Sequence, residues 1–312
     1  MKKKLIILSI GLIPTTSFFS QDQSFSPTAG NNVSINPALA GNGAHARISS
    51  TYRNQWPSLT GSYLTSSSNF YQYIPKLNGF GGITFTNQNQ FNTIQKTKAT
   101  AFYSQNITIG ELLIRPAVEV GFGRNSIDVT KVTFGDMIDP NQGVIYSNGD
   151  AINSTRDYLD LNAGAIVYYK NFLIGVSAHH LNKPNTSLIN DFPTNLPSSF
   201  GAQFSYNHTF NKIGLSPYVT FNTQNKFHQT IIGLRAMYNN HLNATISMTN
   251  RDGVIAGLGY QSKLFSLTYF YDVTVSRLNN GVTGGSHQVS LFFNIWKLKT
   301  SDKLVEINSV FN

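Results

Sequence analysis

The chain has 312 residues and a formal net charge of +9, but only 12% of its residues are charged, about half the share typical of soluble domains. It has no cysteine, which excludes disulfides, thiolate metal ligands and a lipid-modified cysteine, and no apolar run reaches the roughly 18 residues of a membrane-spanning helix. Hydrophobic residues are only 40%, and low charge without high hydropathy is typical of a transmembrane β-barrel, which is apolar outside and polar but largely uncharged inside.

The first 20 residues have the features of a secretory signal peptide. Lys2, Lys3 and Lys4 precede a short apolar stretch at residues 5–13, and Ser20 provides a cleavage position, although Phe18 fits the small-residue rule poorly. We therefore predict an exported chain. No basic run follows the signal, so nucleic-acid binding is not predicted.

Residues 21–45 carry turn residues without periodicity and are predicted to form an irregular N-terminal segment. About 14 strand-like runs follow between residues 46 and 296, most of them near the roughly 9–11 residues with which a tilted strand crosses a membrane. The runs are 46–54, 61–72, 79–88, 96–109, 111–124, 157–169, 172–181, 198–210, 213–222, 227–238, 241–249, 254–262, 264–276 and 286–296. Residues 297–312 are a C-terminal extension for which no function is predicted.

The runs alternate between apolar and polar residues, as β-strands with one apolar face do. The clearest case has apolar residues at every second position, followed by a second run of the same kind: Phe265, Leu267, Tyr269, Tyr271 and Val273, then Val289, Leu291, Phe293 and Ile295. Charges fall on the polar faces, as with Arg115, Glu119, Asp160 and Lys170. Lipid or a protein core could cover the apolar face. We predict an all-β, antiparallel, up-and-down transmembrane barrel of the outer-membrane type, with a soluble β-sandwich or adhesin as the alternative.

The connections between the runs alternate in length. Those after runs 4, 6, 8, 10 and 12 are a residue or a few, such as Lys170-Asn171 and Asn211-Lys212. Long connections follow runs 5, 7 and 13, at residues 125–156, 182–197 and 277–285. Because alternate connections of an up-and-down barrel lie at the same end, this pattern predicts tight periplasmic turns at one end and long loops at the other.

No residue pattern predicts catalysis, a metal site or a cofactor site. The pair His179-His180 is expected to point to opposite faces of a strand, one into the lumen, so that it cannot chelate one metal. His180 with Ser177 could be drawn as a hydrolase pair, but no spacing singles out this serine. We therefore predict a protein that is not an enzyme.

The polar faces carry charges and large apolar side chains together. Arg115, Glu119, Arg235 and Asp272 are predicted to form a lumenal polar network or to hold a plug. Phe270, Phe292, Ile166 and Tyr168 on the same faces favour a filled interior over the open lumen of a porin. A passive channel for small solutes remains the alternative, since about 14 strands can enclose a lumen.

Lysines occur in the predicted tight turns and in the connection after the second run: Lys170, Lys212, Lys263 and Lys76. A ring of lysines at the periplasmic rim could dock an acidic partner, or the lysines could simply be solvated.

Three groups of residues, in order along the chain, resemble the PorP/SprF family of outer-membrane proteins of the type IX secretion system. The first is Asn36-Pro37-Ala38-Leu39-Ala40-Gly41 followed by Tyr52-Arg53-Asn54-Gln55-Trp56; the second is residues 175–184, including His180 and Pro184; the third joins Tyr269-Phe270-Tyr271-Asp272 to Gly284-Gly285-Ser286-His287. The family-like positions are Asn36, Pro37, Gly41, Arg53, Trp56, His180, Pro184, Asp272 and His287. Two positions depart from the pattern: Gln288 stands where an acidic residue is expected, and Val273 where an aromatic residue is common.

The resemblance implies a role in secreting or anchoring large surface proteins, including gliding adhesins. It implies binding of a secreted surface protein through its C-terminal sorting domain, contact with periplasmic components of the secretion machinery, and a location among outer-membrane lipid. The substrate itself is not predicted.

Overall fold

The computed structural model describes residues 25–26, 32–41, 45–59, 61–131, 138–139, 143–144, 154–188, 193–250, 253–275 and 280–297. The predicted signal peptide and the C-terminal extension lie outside the described residues, apart from Lys297.

The described residues form fourteen barrel strands, numbered β1 to β14 in chain order. Two of them are interrupted: β4 continues as Ile107–Ile109, and β8 continues as His208–Phe210. The strands are β1 His45–Gln55, β2 Tyr63–Ile74, β3 Gly79–Gln90, β4 Ile94–Gln105, β5 Leu112–Ile127, β6 Thr155–Tyr169, β7 Phe172–His179, β8 Ser199–Tyr206, β9 Ile213–Gln224, β10 Phe227–Tyr238, β11 Leu242–Thr249, β12 Gly253–Gln261, β13 Phe265–Thr274 and β14 Ser286–Lys297.

The sheet closes on itself. Each strand pairs antiparallel with its neighbours in sequence, and β1 also pairs with β14, placing Arg53 opposite Gln288 and Ser49 opposite Phe292. Closure satisfies the backbone groups that an open edge would leave unpaired. The predicted up-and-down barrel is confirmed, and the β-sandwich alternative is wrong.

The remaining elements are short. Helix α1 (Asn32–Ile35) and a 3-10 turn (Pro37–Leu39) precede the barrel, and helix α2 (Asn280–Thr283) lies between β13 and β14. Two further 3-10 turns, Pro75–Leu77 and Val129–Lys131, follow β2 and β5, and Ile138–Asp139 pairs with Gly143–Val144 as a small hairpin. Within the described part of the chain, no helix combines the length and apolarity needed to cross a membrane.

The two faces of the wall follow the alternation in the sequence. On β5, Val118, Val120 and Phe122 are exposed on the outside, while Arg115 and Glu119 are buried on the inside. On β13, Leu267 and Tyr269 are exposed, and Ser266, Thr268 and Phe270 are buried. The large apolar residues predicted on the polar faces, Ile166, Tyr168, Phe270 and Phe292, are all buried inside.

The long connections all lie at one end of the barrel, as expected, but that end also has tight turns between β3 and β4 and between β9 and β10. At the other end, tight turns join β4 to β5, β6 to β7, β8 to β9, β10 to β11 and β12 to β13. Several turn residues have left-handed backbone: Lys170, Asn211, Asn239, Asn240 and Gly110. We call this end the short-turn end and the other the long-loop end. Lys170 lies in the turn after β6, as its place in the short connection Lys170-Asn171 predicted.

The longest connection is shorter than predicted because its flanking strands extend further. Asn125 and Arg156 were expected in a loop, but they pair across β5 and β6. Beyond the apolar part of these strands polar residues occupy both faces, so the alternation that reveals a strand is lost. An exposed ion pair between Arg124 and Asp157 (2.6 Å) joins the two extensions.

Candidate functional site

The described residues before the barrel, Phe25–Ser26 and Asn32–Gly41, lie inside it; we call them the lumenal segment. Val33, Ala38, Leu39 and Ala40 are at most 2% exposed. Ala38 and Leu39 pack among side chains from the inner faces of five strands: Leu113, Ala117, Ile166, Tyr168, Leu173, Tyr218 and Ile231. The apolar residues of the inner wall therefore form a small core around this segment.

Asn36 fastens the middle of the lumenal segment. Its side chain accepts a hydrogen bond from Ala38 N (2.9 Å), capping the 3-10 turn that begins at Pro37. Its Nδ2 donates to Val176 O (2.9 Å) and Gln203 Oε1 (3.1 Å). The wall opposite carries Gly164, where a Cβ would collide with Asn36 Oδ1. Glycine at this position lets the segment lie directly against the strand.

Arg115 fastens the segment near the short-turn end. Its Nη1 donates to the carbonyl oxygens of Ala40 (2.7 Å), Gly41 (3.0 Å) and Ala38 (3.5 Å). Its Nε donates to Asn106 Oδ1 (2.7 Å), and its guanidinium lies over the ring of Phe80 at 4.8 Å. The guanidinium is fully buried, so these carbonyl groups replace water as its partners.

Ser26 holds the lumenal segment near the long-loop end. Arg53 forms an ion pair with Asp272 (2.5 Å), and the hydroxyl of Ser26 bridges them, accepting from Arg53 Nη1 (3.1 Å) and donating to Asp272 Oδ1 (3.2 Å). Ser26 N donates to Gln288 Oε1 (2.9 Å). The residue that departs from the family pattern, Gln288, is therefore a direct partner of the segment.

These contacts give the segment a direction. Arg53, Asp272 and Gln288 lie at the ends of β1, β13 and β14 nearest the long loops, whereas Arg115 lies near the start of β5 at the short-turn end. The described parts of the segment therefore lie with Ser26 near the long-loop end and Gly41 near the short-turn end.

A second polar cluster lies beside α1. His180 Nδ1 lies 2.8 Å from Asp160 Oδ1, and Lys98 Nζ lies 3.3 Å from Asp160 Oδ2. Asn162 Nδ2 donates to Glu119 Oε1 (2.6 Å), and His179 Nε2 lies 3.1 Å from Ile35 O. The cluster contains no group of three His, Cys, Asp or Glu residues suited to a metal among the residues described.

The prediction that His179 and His180 point to opposite faces is wrong. Both face the lumen, because β7 ends at His179 and His180 takes left-handed backbone (φ 56°), which turns its side chain inward. Ser177 does not complete a hydrolase arrangement here: its Oγ accepts from Gln203 Nε2 (3.4 Å), while His180 Nδ1 faces Asp160.

The four predicted lumenal charges all lie on the inner wall but in different places. Arg115 and Asp272 hold opposite ends of the lumenal segment, and Glu119 belongs to the histidine cluster. Arg235 lies apart from them, with Nη2 at 3.5 Å from Gln261 Oε1. They thus take part in separate sets of contacts rather than one network.

The family-like positions divide in the same way. Asn36, Pro37, Gly41, Arg53 and Asp272 belong to the lumenal segment or its anchors. Trp56 and Pro184 lie in long-loop connections, where Trp56 N donates to Gly285 O and Pro184 O accepts from Leu196 N. His287 bonds Tyr269 Oη on the outer face (2.7 Å).

Asn162, Gln203 and Lys98 were not among the predicted site residues. Each lies on the inner face of its strand, so alternation could have placed them in the lumen. Alternation did not indicate their partners: Gln203 accepts from Asn36 of the lumenal segment, Lys98 pairs with Asp160 on β6, and Asn162 donates to Glu119 on the neighbouring strand.

A family model described as "Type IX secretion system membrane protein PorP/SprF" matches residues 17–293 of this chain. No curated protein matches.

Solved structures with similar folds are remote in sequence. The Acinetobacter baumannii outer membrane protein Omp33 is 10% identical with a TM-score of 0.45, covering 81% of this chain and 100% of its own. A Pseudomonas aeruginosa FadL homologue is 11% identical with a TM-score of 0.44, covering 85% and 96%. A mutant of the TodX monoaromatic hydrocarbon channel is 12% identical with a TM-score of 0.46, covering 86% and 96%. The fold assignment rests on the strand pairing described above.

Proposed function

Because this chain belongs to the PorP/SprF family of type IX secretion system membrane proteins, we propose that it supports the secretion or surface anchoring of a large adhesin-like protein, without catalysing a reaction. Its family and its closed antiparallel barrel place it in the outer membrane. The proposed partners are a secreted surface protein, bound through its C-terminal sorting domain, and periplasmic components of the same secretion system.

The observation that carries the proposal is the occupied lumen. The lumenal segment is held at three levels, by Arg53 and Asp272, by Asn36, and by Arg115. Hydrogen bonds to charged groups contribute about 1.5–3 kcal/mol each. A passage for solutes would have to break several of them. A barrel filled by its own chain suits a protein that binds at its mouth or rim better than one that conducts.

Deletion of the gene tests the role in secretion. We expect one large surface protein to disappear from the cell surface while the other surface proteins remain. The comparison is surface proteomics of the deletion strain and of the same strain complemented with the full gene. An unchanged set of surface proteins together with altered solute uptake would count against the proposal.

Planar-bilayer recordings separate this role from that of a passive channel. We expect the purified protein to show no steady ohmic conductance, and a variant lacking residues 25–41 to conduct, provided that it still shows the heat-modifiable mobility of a folded barrel. Large, steady conductance steps from the intact protein would favour the channel.

The described contacts of the lumen also support a non-enzymatic role. The polar cluster of Asp160, His180 and Lys98 is engaged internally, with distances of 2.8 and 3.3 Å between partners. These groups join β4, β6 and the end of β7 to one another, which is a structural task.

A further inference from the structure

The outer face of the barrel is not apolar all the way round. Halfway along β11 and β12, Ile246 and Leu258 point outward and are 58% and 69% exposed. Halfway along β1 and β2, the outward residues are instead Ser50 and Ser68, which lie opposite each other and are both exposed. Large apolar side chains are typical of the lipid-facing band at this depth. The serines therefore mark a part of the wall that differs from a lipid-covered surface.

Small and polar side chains continue from these serines along the outer face to β3 and β4. Ser66 and Thr97 lie on either side of Asn87, one row nearer the long-loop end. In the row of the serines, Ala99 is the outward residue of β4. We call this set the small-residue sector: Ser50, Ser66, Ser68, Asn87, Thr97 and Ala99.

Phe85 is the large side chain in the middle of the sector. It is 53% exposed and lies on β3 between Ser68 and Ala99, its neighbours on the adjoining strands. Tyr52, 48% exposed, borders the sector on β1. Small residues let two membrane-embedded elements approach closely. The sector therefore has both a protruding ring and, beside it, space for the ring of a facing wall.

The polar groups of the sector have more donors than their bonds among the described residues use. Ser50 Oγ and Ser68 Oγ lie 3.3 Å apart and share one hydrogen bond. Asn87 Nδ2 donates to Thr97 Oγ1 (3.0 Å). Each pair keeps a further donor, because two hydroxyls carry two protons and a carboxamide carries two N–H groups. Hydrocarbon offers no acceptor, so a polar surface inside the membrane suits these groups better than lipid does.

A second copy of the chain provides such a surface. Hydroxyls and carboxamides both donate and accept, so the sector is complementary in polarity to itself. The membrane keeps both copies upright, and a two-fold axis along the membrane normal places the same sector of the two copies face to face. Phe85 of each copy then lies against small residues of the other. We propose that the small-residue sector is the contact surface of a dimer of this chain within the membrane.

The size of the face that contains the sector agrees with a dimer. Four strands spaced about 4.8 Å apart are about 19 Å wide, and the lipid-facing band of such barrels is about 25 Å tall. Two copies joined over this face bury on the order of 1,000 Å² in total, which is about the area that a specific interface needs. The long-loop ends of both copies lie on the same side of the membrane.

Subunit counting in lipid vesicles tests the proposal. The natural chain has no cysteine, so Lys226→Cys, exposed in the turn between β9 and β10, carries one fluorophore per chain. The purified protein is folded into phosphatidylcholine vesicles at high dilution, and bleaching steps are counted for single spots. We expect two steps per spot, more often than random co-occupancy of vesicles gives. Single steps throughout would overturn the proposal and would leave a different membrane protein as the partner of the sector.

Ser50→Leu with Ser68→Leu fills the space beside Phe85. Leucine suits lipid better than serine, so the barrel should fold and keep its heat-modifiable mobility. Because the larger side chains hold two facing walls apart, we expect the fraction of two-step spots to fall at least fivefold.

Ala244→Leu with Ala256→Leu is the matched control, because both alanines are exposed on the outer face of β11 and β12, away from the sector. Its two-step fraction should equal that of the unchanged sector. Equal loss in both double variants, or no loss when the serines are replaced, would contradict the assignment of this face.

Discussion

At the scale of single residues, Arg115 illustrates how the lumen holds the chain. A buried guanidinium must replace its lost hydration with several good acceptors. The acceptors are the carbonyl oxygens of Ala38, Ala40 and Gly41 in the lumenal segment. The side-chain oxygen of Asn106 is a fourth acceptor. Those carbonyls are free to accept because the segment is neither helix nor strand at Ala40 and Gly41. The guanidinium of Arg115 on the barrel wall thus donates to backbone carbonyl groups of the irregular segment, and each side supplies the hydrogen-bond partner that the other lacks.

Replacing Arg115 by glutamine should release the lumenal segment. Glutamine cannot reach all of the carbonyl groups, and a buried acceptor without a donor costs about 1–3 kcal/mol. We expect the barrel to stay folded but the segment to become sensitive to limited proteolysis, with cleavage mapped between residues 25 and 44 by mass spectrometry.

The control for this change is Arg124→Gln. Arg124 pairs with Asp157 on the exposed extension of β5, and exposed pairs contribute only about 0–1 kcal/mol. Its proteolysis pattern should match that of the native protein. Equal resistance of both variants would show that Arg115 does not hold the segment.

At the scale of elements, the strands could be predicted because one physical rule governs each of them. Lipid outside and a polar lumen inside impose a period of two, and every predicted run corresponds to a strand in the structure. The rule fails where that contrast ends. Asn125 and Arg156 lie beyond the apolar part of β5 and β6, and His180 leaves β7 through a left-handed residue.

The lumenal segment could not be predicted from its own residues. It has no periodicity, and its position depends on Asn36, Arg53 and Arg115 reaching partners far away in sequence. The predicted charges Arg115 and Asp272 did indicate that something is held in the lumen. Only the fold shows that it is the chain's own N-terminal part.

Lipid contact on the outer face of β5 predicts a strong effect of charge there. Val118 is 60% exposed on the apolar outer face. Val118→Lys should destabilise the barrel by about 2–4 kcal/mol, the cost of lysine near the bilayer midplane. Urea titration of barrels folded into vesicles measures it.

Gln95→Lys is the matched control, since Gln95 lies on the outer face of neighbouring β4 at its long-loop end. There the expected cost is about 0–1 kcal/mol. Similar costs at both positions would mean that lipid does not cover the middle of β5.

At the scale of the whole molecule, the barrel has two chemically different ends. The short-turn end carries exposed lysines in separate connections, and Gly41 of the lumenal segment lies near it. The long-loop end carries the Ser26 anchor. If the short turns face the periplasm, the proposed periplasmic partners and the proposed secreted partner contact opposite ends of the barrel.

Cysteine labelling tests this orientation, and the natural chain has no cysteine to interfere. Lys212 and Lys226 are exposed turn lysines at the two ends of β9. A membrane-impermeant maleimide should label Lys226→Cys on intact cells, and Lys212→Cys only after the outer membrane is permeabilised. The reverse pattern would invert the assignment of both ends.

The lysines at the short-turn end suggest how periplasmic components could dock. Lys212 and Lys263 are exposed in tight turns, where an acidic partner would feel their combined field. We expect Lys212→Glu with Lys263→Glu to reduce co-purification of periplasmic secretion components about tenfold at low salt. High salt should reduce the difference between variant and native protein, because the Debye length falls from about 10 Å at 0.1 M to about 3 Å at 1 M.

Lys183→Glu with Lys226→Glu makes the same change in net charge at the long-loop end and should leave co-purification intact. Equal loss in both variants would mean that total charge, and not the short-turn rim, governs docking.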